Sequence, residues 1–129
     1  NTETPCLIIP KTANETPPRN MTLFIAKENK PVDLNHETLK TLMNSVQSVD
    51  IISEENTEAN NHIEPLLTHS NNLKISQKKV KDVKDLINLI DTKNSDFLVW
   101  NGPVKNNGSL KTIDKLSRRK KGIPIWIAN

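Results

Sequence analysis

The sequence predicts an α/β fold, three layers deep, with a mostly parallel sheet of about five strands and helices on both faces. Two observations carry this. Compact apolar runs of strand length recur along the chain: "MTLFIA" (21–26), "VDIIS" (49–53), "DFLVW" (96–100) and "IPIWIA" (123–128). Runs that do not alternate with polar residues suit strands covered on both faces. Between them lie segments with apolar residues at helical spacing. The 129-residue length suits one domain, and 34% apolar residues with two Phe, two Trp and no Tyr require a core of Ile, Leu and Val.

Residues 1–20 hold four of the eight prolines and read as an extended arm or linker, in which "CLII" could form a short edge strand. The α/β domain then occupies residues 21–129. After the first strand, "NHETLKTLMNSVQ" (35–47) places Leu39, Leu42, Met43 and Val46 at helical spacing, with Asn35 as the expected N-cap. After the second strand, 56–72 is partly helical, and Pro65 fits the first turn of a short helix better than the inside of a long one. "LKIS" (73–76) is a short strand. "QKKVKDVKDLINLIDTK" (77–93) is the clearest helix, with Val80, Val83, Ile87 and Ile90 in one stripe. The segment 108–122 is the last helix, with Leu110, Ile113 and Leu116 on one side and Gly122 as its C-cap.

Composition excludes several chemistries. Cys6 is the only cysteine, so neither an internal disulfide nor a cysteine-based zinc site can form. His36, His62 and His69 lie among polar residues; Pro65 interrupts the helical face that His62 and His69 would share, so solvated histidines are expected and no metal site. No apolar run approaches the roughly 20 residues that span a bilayer, and no membrane partner is expected. The first residue is Asn1, as in a processed product or an excised fragment; a cytoplasmic location is expected unless the chain is a processed secreted product.

All three glycines lie in the last third, and the loop "NGPVKNNGS" joins the strand 96–100 to the helix that follows. In parallel sheets, ligands bind where such loops leave the strand carboxyl ends. Asn101, Gly102, Asn107, Gly108, Ser109, Lys111 and Thr112 are therefore the candidate ligand residues, with Lys105 adding charge. Amides near Gly108 and Ser109 would sit at the positive end of a helix. The alternative is structural, with Gly108 relieving a tight turn and Ser109 capping the helix. The loops after the first two strands hold no glycine, which excludes a standard dinucleotide fingerprint and a P-loop there.

The stretch 96–128 resembles the C-terminal unit of the SLOG superfamily, Rossmann-like proteins that include the LOG phosphoribohydrolases, DprA and the YspA-type sensors. The resemblance rests on Asp96, "FLVW", Gly102, Gly108-Ser109, Thr112-Ile113, Gly122-Ile123-Pro124 and "IWI". It implies a Rossmann-like fold and a nucleotide-type ligand at the glycine loop. Where family members carry glycine-rich turns after their first two strands, this chain has "AKEN" and "SEEN"; where the LOG enzymes carry a glutamate, it has Thr112. The resemblance thus implies a degenerate, non-catalytic module that binds a nucleotide-type ligand or a protein partner; no cofactor is singled out.

Two further readings stay open. Lys78 and Lys79 could join Arg118, Arg119, Lys120 and Lys121 in a basic patch for nucleic acid, which the net charge of +3 permits. Glu54 or Glu55, at a strand end, could serve as general base of a nucleotide- or nucleoside-processing enzyme.

Overall fold

The computed structural model describes residues 5–13, 15–26, 30–55, 57–70, 72–104, 107–119 and 121–128, with only the backbone of Asn107. The strands are β1 (Cys6–Ile8), β2 (Asn20–Ile25), β3 (Ser48–Glu54), β4 (Lys74–Val80), β5 (Phe97–Asn101) and β6 (Ile125–Ile127). The helices are α1 (Glu37–Met43), α2 (Asn60–His69), α3 (Asp85–Thr92) and α4 (Asn107–Ser117). The strands form one sheet in the order β1-β6-β5-β2-β3-β4, parallel throughout except that β1 runs antiparallel to β6. This is a three-layer α/β fold of Rossmann-like type, with the "CLII" segment supplying the antiparallel edge.

The layers follow from residue alternation. Met21, Leu23, Val49, Ile51, Phe97, Val99 and Trp126 face one side, where Leu39 and Met43 of α1 and Leu66 of α2 cover them. Phe24, Ile52, Leu98, Trp100, Ile125 and Ile127 face the other, under Leu86 and Ile90 of α3 and Ile113 and Leu116 of α4. Successive strand residues point to opposite faces, so only a strand apolar at consecutive positions can serve both cores. From β2 to β4 the chain travels one way across the sheet with α1 and α2 on one face. It then returns to β5 and β6 with α3 and α4 on the other. A constant crossover hand demands that switch of face when the direction of travel reverses.

Several local expectations are corrected. The lysine-rich start of 77–93 is not helix but the second half of β4, a strand paired with β3 from Ser48↔Lys74 to Glu54↔Val80. The helix begins only at Asp85. Val80 fits the helical stripe by spacing but is buried as a strand residue under α3. Pro65 lies inside the ten-residue α2 rather than in its first turn. The N-cap of α1 is His36, whose Nδ1 accepts from the Thr38 N–H at 3.3 Å, and not Asn35.

Gly122 does not cap α4, which ends at Ser117. No described glycine has a positive φ. Gly122 is needed for close approach instead: a Cβ there would lie 2.6 Å from both Pro10 Cβ and Thr12 Oγ1. The Gly122 N–H donates to Thr12 Oγ1 at 2.9 Å, and that hydroxyl donates to the Arg119 carbonyl at 2.7 Å. Further along, Asp96 accepts from the N–H groups of Arg19 and Asn20 at 3.2 and 3.1 Å, and Ser45 donates to the Pro18 carbonyl at 2.6 Å. The described part of the N-terminal arm is thus tied to the domain at β1, Thr12 and Pro18 to Asn20.

Candidate functional site

Because β2 and β5 are neighbours from which the chain leaves in opposite directions, their carboxyl ends form the topological switch point. The Ala26 N–H donates to the Asn101 carbonyl at 2.9 Å, carrying the pairing one residue past β2. Asn101 is fully buried, and its Nδ2 donates to the Lys30 carbonyl at 2.8 Å. That bond fastens the chain that follows β2 across the end of β5. Gly102 is buried beside it.

The helix predicted to leave the glycine loop does so, but its first turn differs from the expectation. Gly108 is its second residue, so it relieves no turn, and Ser109, third in the helix and 5% exposed, is not the N-cap. The Thr112 hydroxyl donates to the Gly108 carbonyl at 2.9 Å, and Thr112 is buried. Lys111 points to solvent. Asn101, Gly102, Ser109 and Thr112 are therefore buried in the fold rather than presented to solvent. The positive end of α4, where the Gly108 N–H has no acceptor within the helix, remains as the chemical feature of the switch point. The Asn107 side chain and Lys105 lie outside the described residues.

The nucleic-acid candidates are not brought together. Lys78 and Lys79 lie near the carboxyl end of β4, at one edge of the sheet. Arg118, Arg119 and Lys121 lie in the segment that enters the amino end of β6, with β3, β2 and β5 between the two groups. Arg118 is paired with Asp114 at 2.8 Å, and Arg119 with Asp91 of α3, so two of these cations serve the fold. Lys120 lies outside the described residues. Glu54 ends β3 half-buried and Glu55 is exposed; their backbones make a turn in which Glu55 donates to Val80 and Glu54 accepts from Thr57. Lys79 Nζ closes that turn on the Thr57 carbonyl at 2.6 Å.

The histidines are not uniformly solvated. His36, besides capping α1, packs its ring edge-on against Trp126 with centroids 4.7 Å apart. His62 is 4% exposed, and its Nδ1 has no hydrogen-bond partner. It borders a cavity of about 10 Å³ with Met21, Leu23, Val32, Leu34 and Val99. Burial among these apolar groups disfavours the charged ring and lowers its pKa below 6.5. The signal for this position was available: His62 and Leu66 are four apart, on the inner face of one helix. Trp100 Nε1 and Thr57 Oγ1 are also buried without partners. Among the described residues, no cluster of His, Cys, Asp or Glu could hold a metal ion. No described helix is long and apolar enough to cross a membrane.

No protein family, no curated protein and no solved structure matches this chain.

Proposed function

We propose that this chain is a non-catalytic, Rossmann-like binding module whose ligand is a nucleotide-type anion held at the switch point between β2 and β5. The observation that carries the reading is the placement of α4. Its N-terminus follows the carboxyl end of β5, at the switch point from which the chain leaves to opposite faces of the sheet. A helix N-terminus supplies partial positive charge and N–H donors suited to phosphate. The SLOG-like pattern of 96–128 supports the same site, and the missing glycine turns and the Thr112 substitution support binding without turnover.

The test is a thermal-shift and calorimetric titration with mononucleotides, NAD, ADP-ribose and ribose phosphates. One of them is expected to raise the Tm in proportion to its occupancy of the folded state. Gly108→Asp should leave the unliganded Tm unchanged or slightly higher, because an acid in the first turn complements the helix. The same carboxylate should abolish the ligand response by repelling an anion. A response that survives Gly108→Asp, or no response to any anion in the panel, overturns the reading.

A further inference from the structure

β4 is an edge strand seven residues long; among the described residues it pairs with β3 and no other strand. The Lys74 N–H donates to the Gln47 carbonyl at 3.0 Å, and the Val80 carbonyl accepts from Glu55 at 3.0 Å. In a parallel ladder every second residue bonds the same neighbour, so Lys74, Ser76, Lys78 and Val80 bond inward. Ile75, Gln77 and Lys79 then turn their N–H and C=O groups away from the sheet. Among the described residues, no strand or loop meets that outer row. The opposite edge is blunted: β1 is three residues long and lies between Pro5 and Pro10.

The side chains around the open row are basic. Lys74, Lys78, Lys79 and Lys81 are exposed, as are Ser76 and Gln77; the acids beside them are Asp82 and, on β3 opposite Ser76, Asp50, which accepts from the Ser76 hydroxyl. A second copy of the chain pairing here would set lysines of one strand beside lysines of the other, which is unfavourable. An acidic strand meets the reverse condition. We propose that the outer edge of β4 binds an extended acidic peptide segment as an added strand. Main-chain bonds to Ile75, Gln77 and Lys79 supply the register, and the lysines select carboxylates. A nucleic-acid strand has no main-chain ladder to match this edge, and no described aromatic side chain on β4 offers a stacking surface.

The experiment uses a fluorescent heptapeptide alternating Glu with Val, titrated with the whole chain. Binding is expected at about 50 mM salt and should weaken at least about tenfold at about 500 mM. Gln77→Pro removes only one outward N–H, a substitution that edge strands tolerate. It should weaken binding about tenfold or more while the Tm stays within a few degrees. A peptide of the same charge, N-methylated at alternate residues, should fail on the unaltered protein, which tests the ladder even if the variant folds poorly. Lys78→Glu should weaken the acidic peptide and admit a Lys/Val counterpart. Absence of binding overturns the proposal. So does binding indifferent to both Gln77→Pro and N-methylation, or equal binding of a short duplex DNA; either marks a simple polyanion surface.

Discussion

His62 holds a neutral imidazole inside an apolar wall, with one ring nitrogen unpaired. Its folded-state pKa is lower than the ordinary 6.5 of the unfolded chain, so unfolding takes up a proton when the pH is between the two. The stability that depends on the neutral ring is complete above the unfolded value. It is lost as the pH falls from there through the folded value. The charged groups flanking this wall, Lys30, Asp33, Glu58 and Glu64, are exposed. His62→Leu should flatten this part of the stability–pH curve. It should also raise stability at neutral pH by about 1–2 kcal/mol, since an unsatisfied buried polar atom is removed. Denaturant unfolding at a series of pH values checks both. A slope that persists in the variant would assign the titration to another group.

At the scale of elements, α2 continues through Pro65, whose ring cannot donate to the carbonyl four residues back. Asn61, which carries that carbonyl, is exposed, so water can satisfy it. Pro65→Ala restores the hydrogen bond but gives up ring contacts at the His62 cavity and the stiffness of the unfolded chain. A net gain of about 1 kcal/mol is expected in urea unfolding; a loss would mean that the ring packing outweighs the helix bond. The elements also differ in how plainly the residues announce them. β2, β3 and β5 sit between two helical layers, so both of their faces had to be apolar, and "MTLFI", "VDIIS" and "FLVW" say so directly. β4 meets the helical layers at one residue on each face, Ile75 on one and Val80 on the other, and carries Lys, Ser and Gln toward water, so its lysines read with the helix that follows. The candidate site was half legible. The strand-loop-helix order around Gly102 and Gly108 was readable from turn residues and helical spacing. The bond from Asn101 to Lys30 and the burial of Ser109 and Thr112 depend on which loops become neighbours, and no local pattern encodes that.

Across the whole molecule, the arm and the body behave as one unit because Gly122 lets Pro10 and Thr12 lie against it. Gly122→Ala should push them off, break the Thr12 bridge to Gly122 and Arg119, and cost about 1–3 kcal/mol as an overpacked contact. Limited proteolysis should then cut within residues 9–18 faster than in the parent, while ligand binding at the far end of the sheet is retained. Unchanged protection of that segment would show that β1, the Asp96 contacts and the Ser45 bond to Pro18 hold the arm without the Gly122 contact.

Pairing Cys6 with Ile127 has a kinetic side. The first strand of the sheet in chain order is sealed onto its last, so this edge forms by the longest loop closure in the sheet. During synthesis β1 is made before β2 to β5 and waits through the making of all of them before β6 exists. Over that interval the arm is an unpaired strand end, and chaperone capture or premature cleavage would act there first.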